Sequence, residues 1–254
     1  MSEPQWDIRW FDEIDSTNSY VRDQARSGAP EGLVAVADFQ TSGRGRLDRR
    51  WESPRGANLL ASVLLRPAGE AGHLHLCTGA VALAAADACR VVAGVEAALK
   101  WPNDLVVAGR KLAGVLAEAE FSGPKSVAVV VGVGLNVGWP GPEDAMGTCL
   151  EELPGVTAPV DRRALLECLL VALSARRRAL DDAAGRRSLA DDVRSRCVTI
   201  GQEVRVVLAS GELHGVATAI DDDGRLVVET SEGLRAVTTG DVVHVRPVSG
   251  TEFS

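Results

Sequence analysis

An arginine- and glycine-containing loop is the most unusual chemical feature of this sequence. The segment Gln40–Trp51 places four arginines in a chain whose formal net charge is −8, and they are Arg44, Arg46, Arg49 and Arg50. Gly43 and Gly45 let the backbone approach a ligand closely. A guanidinium pairs bidentately with phosphate or carboxylate, and each charged hydrogen bond contributes roughly 1.5–3 kcal/mol. The loop therefore predicts a local anion site, although a solvated or nucleic-acid-binding basic loop explains this segment equally well.

A tight turn between two short strands is the second candidate. Lys100 lies in a predicted strand that runs through Trp101-Pro102-Asn103 to Asp104. Proline, asparagine and aspartate are ordinary turn residues, so a purely structural role is a strong alternative. Lys111 follows Asp104 by seven residues and begins the next strand of the predicted hairpin. We therefore predict that the Asp104 carboxylate lies close to the Lys111 ammonium group.

Two further segments carry weaker signals. Val131–Val137 is an apolar strand in which Gly132 and Gly134 leave room for a flat group, although close backbone packing explains them equally well. Ser16-Thr17-Asn18 is, taken alone, most simply the N-cap of a helix. The chain has no Walker-type P-loop, and its glycine pairs lack the third glycine of a dinucleotide fingerprint.

Composition narrows the class of protein. A chain of 254 residues suits one large domain with a smaller appendage, and its negative charge disfavours generic nucleic-acid binding. We expect reduced thiols rather than a disulfide framework or zinc site, because five cysteines are widely spaced without a C-x-x-C pair. His73 and His75 are expected at the surface rather than on a metal. The N-terminus lacks signal-peptide features and the most apolar run, Val127–Val133, is too short to span a membrane, which favours a cytoplasmic protein.

Hydrophobic periodicity predicts an α+β protein with two domains, at residues 1–198 and 199–254. Predicted helices cover residues 15–28, 78–93, 162–180 and 189–197. Predicted strands cover residues 8–10, 33–39, 59–65, 97–101, 105–107, 112–119 and 127–133, and tight turns between them imply antiparallel neighbours. Five short β-patterned runs from Glu203 to Val245 predict a small SH3-like β-barrel. Arg176-Arg177-Arg178 and Arg186-Arg187 are expected on solvent-exposed helix faces.

Six motifs in a fixed order make this chain similar to biotin protein ligases. They span about 120 residues and are Ser16-Thr17-Asn18, Gln40–Arg46, Arg49-Arg50-Trp51, Lys100–Asp104, Arg110–Gly114 and Gly132–Asn136. One position departs from the family, whose loops usually run G-R-G-R-x-G-R-x-W, because Leu47-Asp48 stands here at the second x-G pair. Aspartate tolerates positive φ, so the turn can form, while its charge partly offsets the neighbouring arginines.

The resemblance implies both a fold and an activity. The fold would be a catalytic domain related to class II aminoacyl-tRNA synthetases, with a mixed, mostly antiparallel sheet, followed by an SH3-like C-terminal domain. The activity would convert biotin and ATP, with Mg²⁺, into biotinyl-5′-AMP and pyrophosphate. Biotin would then be transferred to a lysine of the biotin carboxyl carrier protein domain of acetyl-CoA carboxylase or a related carboxylase.

The resemblance also implies residue roles. The biotin ring system would be contacted by Ser16, Thr17, Asn18 and Gln40. Arg44, Gly45 and Arg46 would cover biotin and the adenylate phosphate, Lys111 would meet the biotin carboxylate, and Trp51 would pack on the adenine side. Asn103 and Asp104 would serve ATP and its magnesium. The catalytic set is therefore Lys111, Arg44, Arg46 and Asp104, and the remaining motif residues expected around the ligands are Gly43, Arg49, Lys100, Gly114 and Asn136.

Other functions remain as alternatives. A lipoate–protein ligase shares the related fold and the same two steps, although the Gly-Arg-Gly-Arg loop and Lys-Trp-Pro-Asn-Asp favour biotin. A biotin-responsive regulator would need a helix-turn-helix, and the fourteen residues before Asp15 are too few for such a module, so no DNA partner is expected. A non-catalytic module based on the SH3-like part is disfavoured by Lys111, Asp104 and the arginine loop. The protein is expected to be a monomer or a homodimer.

Overall fold

The computed structural model describes residues 6–47, 49–67, 74–121, 127–208, 211–238 and 240–244. Within these ranges the chain forms two sheets and four α-helices. Asp48 and His73, two of the residues considered above, lie outside them.

A seven-stranded sheet forms the larger part of the protein. Its order is β1-β2-β3-β7-β6-β5-β4, with β1 parallel to β2 and every other pair antiparallel. The predicted mixed, mostly antiparallel sheet is therefore confirmed, because the short turns from β4 to β6 force antiparallel pairing. The strands are β1 (Asp7–Phe11), β2 (Leu33–Ala37), β3 (Leu59–Leu65), β4 (Ala98–Lys100), β5 (Asp104–Val107), β6 (Arg110–Phe121) and β7 (Val127–Leu135).

The four helices are α1 (Thr17–Arg26), α2 (Leu74–Ala93), α3 (Arg162–Ala179) and α4 (Ala183–Ser195). As predicted, Ser16 is the N-cap of α1, and its hydroxyl accepts a hydrogen bond from the Ser19 amide. The last helix begins six residues before the predicted start at Leu189. The reason is Asp182, whose carboxylate accepts from the Gly185 amide and caps the helix at that point.

Both faces of the sheet are covered. All residues of β2 and β3 are buried, with α1 on one face and α2 and α3 on the other. Alanine dominates α2, so this helix packs closely against the sheet and α3. By length and composition α2 would also be long enough to cross a membrane, but two thirds of its apolar stretch is buried within the protein, as in a core helix.

The C-terminal sheet is antiparallel, with the order β11-β10-β9-β8-β12. Its strands are β8 (Glu203–Leu208), β9 (Gly211–Ile220), β10 (Leu226–Thr230), β11 (Gly233–Val237) and β12 (Asp241–His244). Polar contacts join it to the larger part of the protein. The indole N–H of Trp101, in the turn after β4, donates to the Gly224 carbonyl over 3.0 Å, and Arg194 of α4 pairs with Asp222 over 2.6 Å. The two sheets therefore meet beside the Lys100–Asp104 turn.

The expectation that Arg176-Arg177-Arg178 lie on a solvent-exposed face of α3 is wrong for two of the three. Arg176 pairs with Asp87 over 2.5 Å, and its side chain is only 18% exposed. Arg177 was expected on a solvent-exposed face, yet it is 7% exposed. Its guanidinium pairs with Glu31 and with Asp181, the latter over 2.6 Å, and donates to the Arg66 carbonyl over 3.0 Å. Glu31 precedes β2 and Arg66 follows β3, and these two segments meet at one end of the antiparallel β2–β3 pair, so Arg177 joins α3 to that end of the sheet.

Replacing Arg177 should destabilise the fold. Arg177→Leu takes the guanidinium away from the Glu31 carboxylate, and removing one member of a buried ion pair costs about 3 kcal/mol. Urea unfolding measures this loss. The matched control is Arg187→Leu at an exposed position of α4, where we expect a change within about 0.5 kcal/mol. Equal unfolding midpoints for the two variants would contradict the structural role of Arg177.

Candidate active site

A cavity of about 920 Å³ opens between the arginine loop, strands β6 and β7, and β12 of the C-terminal sheet. It brings together side chains that are far apart in sequence. The predicted site residues that line it are Ser16, Thr17, Asn18, Gln40, Arg44, Gly45, Arg46, Arg49, Trp51, Lys100, Asn103, Asp104, Lys111, Gly114 and Asn136. Gly43 is not among the lining residues and lies at the base of the loop.

The arginine loop is a short hairpin. The Trp51 amide donates to the Gly43 carbonyl over 3.0 Å, and the Gly45 amide donates to the Arg49 carbonyl over 2.7 Å. Arg44 and Arg50 form an isolated antiparallel bridge between these two bonds. Gly43 belongs to this frame because a Cβ there would overlap the Trp51 carbonyl. The backbone therefore holds the four arginines at defined positions.

Each arginine of the loop has an acceptor. Arg44 Nη1 lies 3.0 Å from Glu118 Oε1, and Arg46 Nη1 donates to Asn103 Oδ1 over 3.2 Å. Arg49 pairs with Asp241, and Arg50 Nη2 donates to a backbone carbonyl over 2.8 Å. Burial lowers the pKa of Arg46, an effect that the carboxylates of Asp241 and Asp104 oppose. Arg46 is thus a partly desolvated cation whose direct acceptor is neutral, which suits it to an incoming anion.

Two glycines of β7 make room for side chains of the site. A Cβ at Gly132 would overlap the Asn18 amide, and one at Gly134 would overlap the indole of Trp51. The expectation that a flat group packs on this strand is confirmed, and the group over Gly134 is Trp51 itself. Its indole Nε1 is buried and, among the described residues, has no hydrogen-bond partner. The indole N–H is therefore available to an acceptor.

A buried polar cluster forms one end of the cavity. Gln40 Oε1 accepts from the Thr17 amide over 2.7 Å and lies 3.1 Å from the Thr17 hydroxyl. Ser62 on β3 is fully buried, and its hydroxyl lies 2.7 Å from Thr17 Oγ1 and donates to Asn18 Oδ1 over 2.6 Å. A neutral ligand with several donors and acceptors suits this cluster, because it contains amides and hydroxyls rather than charges at its centre.

The other end of the cavity is charged. Lys111 Nζ lies 2.7 Å from Asp104 Oδ1, so the proximity predicted from their spacing is confirmed. The same ammonium lies 5.5 Å from the centroid of the Trp51 ring, within range of a cation–π contact. Burial lowers the pKa of Lys100, with Asp104 opposing the shift and Lys111 adding to it. Two ammonium groups near one carboxylate leave an excess of positive charge for an anionic ligand.

Two asparagines of the predicted set are held by the protein itself. Asn103 Nδ2 donates to the Val115 carbonyl over 2.7 Å, which leaves its Oδ1 for Arg46. Asn136 is buried and its Nδ2 lies within 3.0–3.4 Å of the carbonyls of Lys111, Pro140 and Thr148. Asn136 therefore fixes the backbone of Lys111 to the loop that follows β7.

Sequence reasoning missed several polar residues of this site, including Asp241 of β12, which lines the cavity and pairs with Arg49. Ser62 lies within an apolar strand, and a lone serine there carries no recognisable motif. Glu118 on β6 accepts from Asn18 Nδ2 over 2.9 Å in addition to its pair with Arg44. The alternation of Glu118 and Glu120 in a half-buried strand was a signal that could have found it, because charged residues that are largely shielded from water need partners.

A dedicated metal cage is not present in the part of the chain that the structure describes, since no cluster of three histidine, cysteine or acidic side chains occurs there. All five cysteines are free thiols, as expected. Asp104 contributes one carboxylate to the cavity. That donor set fits Mg²⁺ carried in by a nucleotide, which takes one or two carboxylates plus phosphate oxygens.

Comparison with known proteins agrees with both parts of the chain. The biotin/lipoate A/B protein ligase family matches residues 10–136, and the biotin protein ligase C-terminal domain matches residues 199–245. The biotin–[acetyl-CoA-carboxylase] ligase of Mycobacterium tuberculosis is 41% identical over 238 residues, which cover 91% of this chain and 86% of the relative. The bifunctional ligase/repressor BirA of Bacillus subtilis is 30% identical over 92% of this chain and 72% of its own length.

A solved structure shares the overall fold. The biotin protein ligase of Aquifex aeolicus, determined in complex with biotin and ATP, superposes with a TM-score of 0.78 at 28% identity, covering 94% of this chain and 99% of the other. The motifs of the arginine loop, the Lys100–Asp104 turn and the glycine strand meet in one cavity of this shared fold. The chain belongs to the biotin protein ligase family.

Proposed function

We propose that this protein activates biotin with ATP and transfers the biotinyl group to a lysine of a biotin carboxyl carrier protein domain, in acetyl-CoA carboxylase or a related carboxylase. The observation that carries the proposal is the single cavity with a neutral, buried polar end and a strongly cationic end. The names of the M. tuberculosis relative and of the Aquifex complex with biotin and ATP support the same substrates.

The chemistry explains why ATP is needed. A free carboxylate does not acylate an amine, because its leaving group is poor and the amine is protonated at neutral pH. A biotin carboxylate oxygen attacks the α-phosphorus of ATP, the bond to pyrophosphate breaks, and a mixed anhydride, biotinyl-5′-AMP, forms. The ε-amine of the carrier lysine then attacks the anhydride carbonyl and AMP leaves. Positioning and charge stabilisation by the protein are the main sources of rate in such a scheme.

The cationic end of the cavity supplies that stabilisation. Lys111 would exchange its contact with Asp104 for the biotin carboxylate, and Arg46 would exchange the neutral Asn103 for a phosphate oxygen. Arg44 would complete the cover over the adenylate. Asp104 would then hold Mg²⁺, which supplies charge neutralisation on the ATP phosphates when bound. The 2.7 Å between Lys111 Nζ and Asp104 Oδ1 puts both groups within reach of one ligand.

The polar end would bind the biotin ring system through Ser16, Thr17, Asn18 and Gln40, with Ser62 behind them. A cyclic urea offers one carbonyl acceptor and two N–H donors, which matches a cluster of amides and hydroxyls. Trp51 would lie between the ring and the adenine side, where its buried indole N–H would find an acceptor. The surroundings of the ligands would be completed by Gly45, Arg49, Lys100, Gly114 and Asn136, and Gly43 would support the loop from its base.

Lipoate is the competing substrate, since the matched family also includes lipoate ligases. The dithiolane ring of lipoate has no amide donors or acceptors. It would make no hydrogen bonds to the polar groups around Thr17 and Asn18, and each hydrogen bond that is not formed is worth about 0.5–1.5 kcal/mol. Labelling a carrier domain with equal concentrations of biotin and lipoate tests this choice.

The finer architecture is also part of the proposal. We assign residues 1–198 to a catalytic domain of the class II aminoacyl-tRNA synthetase kind and residues 199–254 to an SH3-like domain. The antiparallel sheet of five strands and its matched C-terminal family support the second assignment. In this scheme Asp241 of the C-terminal domain completes the cavity by binding Arg49.

Removing the charge of Lys111 should slow adenylation. A contact to developing charge in the transition state contributes about 2.7–4 kcal/mol, so Lys111→Ala should reduce ATP–pyrophosphate exchange by a factor on the order of 100 to 1000. Lys111→Arg keeps the charge and should recover part of the rate. Near-normal exchange in Lys111→Ala would contradict the assignment of Lys111 to the attacking carboxylate.

Ligand binding should protect the arginine loop from trypsin. Arg44, Arg49 and Arg50 are exposed, and contacts with the adenylate would add to their protein contacts. We expect cleavage within residues 44–50 to slow at least tenfold when biotin and ATP are both present. Arg55 lies in an exposed turn outside the cavity and serves as the internal control, because its cleavage should not change. Equal rates of loop cleavage with and without ligands would argue against the proposal that the arginine loop covers the bound adenylate.

A further inference from the structure

Glu118 lies at the junction of three elements around the candidate active site. Along β6, the alternate residues Gly114, Leu116, Glu118 and Glu120 point to the face that carries α1 and the cavity. Glu118 pairs directly with Val130 of β7, which belongs to the apolar cluster under α1. The Glu118 carboxylate therefore projects from the sheet into the space between α1 and the arginine loop.

Three donors converge on this one carboxylate. Asn18 Nδ2 donates over 2.9 Å, Arg22 Nη1 over 3.2 Å, and Arg44 Nη1 lies 3.0 Å away. The Glu118 side chain is 19% exposed, so these contacts are shielded from water more than ordinary surface pairs are. Two of the donors, Asn18 and Arg44, line the cavity.

The contact with Asn18 decides how its amide is oriented. An ionised carboxylate only accepts hydrogen bonds, so the NH₂ group of Asn18 must face Glu118 and the Leu116 carbonyl. Its Oδ1 consequently faces the other way and accepts from Ser62 Oγ. A neutral amide in place of Glu118 would remove this restriction, because it can donate as well as accept.

The contact with Arg44 acts on the arginine loop. Arg44 forms the bridge at the base of the hairpin, and Glu118 ties its side chain to β6, which also carries Lys111. The same carboxylate thus links the ring-binding end of the cavity with the loop over the phosphate end.

We propose that Glu118 is a positioning residue for this reaction, which fixes the orientation of the Asn18 amide and anchors Arg44 at the edge of the cavity. The proposal rests on the proposed function. It assigns Glu118 to the binding of biotin and to the retention of biotinyl-5′-AMP, and not to the chemical step. Glu118 does not touch the reacting atoms in this scheme.

Glu118→Gln tests the proposal, with Glu120→Gln as the matched control. Glu120 lies two residues further along the same face of β6, its side chain is 17% exposed, and its described partners are Arg22 and Arg26. The two variants therefore remove the same charge from similar surroundings. Glu118→Gln alone disturbs Asn18 and Arg44.

In Glu118→Gln we expect the KM for biotin and the rate of biotinyl-5′-AMP release to rise on the order of tenfold, as expected for the loss of a charge-assisted hydrogen bond. In the same variant, the KM for ATP and the adenylation rate at saturating biotin should stay within about threefold of wild type. Glu120→Gln should match wild type in both KM values, in the adenylation rate and in the release rate. Labelled biotin follows release, and thermal unfolding compares the stability of the two variants. If Glu118→Gln does not fold, Glu118→Asp takes its place, since its shorter carboxylate cannot reach all three donors.

Equal biotin KM and equal release rates for the two variants would overturn the role of Glu118, as would a tenfold loss confined to the adenylation rate. A wild-type protein that forms no biotinyl-5′-AMP would instead overturn the proposed function. The two failures are therefore distinguishable.

Discussion

The site depends on how four arginine cations are held within seven residues of one loop. Like charges at this spacing repel, and each guanidinium here is bound by an oxygen from a different part of the fold. The acceptors are the Glu118 carboxylate on β6, the Asn103 amide in the turn before β5, the Asp241 carboxylate on β12 and the Thr41 carbonyl at the base of the loop. The loop therefore contacts residues of both sheets, and its position depends on how the two sheets pack together.

The surrounding fold supports this arrangement by letting side chains of the site lie very close to the sheet and to one another. Glycine in β7 lets Asn18 and Trp51 lie against the sheet, and the β5–β6 hairpin brings the Asp104 and Lys111 side chains together. The cavity consequently has a neutral polar end and a cationic end separated by an indole. A substrate with a polar ring and a carboxylate tail, combined with a nucleotide, matches that division of charge.

Much of this could be predicted because the signals were local. Period-2 and period-3.6 patterns, N-cap residues and turn residues placed most of the strands and helices, and the spacing of Asp104 and Lys111 in a hairpin implied their contact. The prediction for Arg177 was wrong because a run of arginines carries no local sign of burial. Its burial depends on Glu31 and the Arg66 carbonyl, which only tertiary packing brings to it.

The sequence by itself determined the family, the elements and most residues of the site, because ordered motifs and hydrophobic periods are properties of neighbouring residues. Only the tertiary structure decided how those residues are connected. Ser62 and Glu118 belong to the site through contacts 44 and 100 residues away in the chain, with Asn18 in both cases. Such contacts follow from strand order and side-chain direction in the folded sheet, and no spacing in the sequence encodes them.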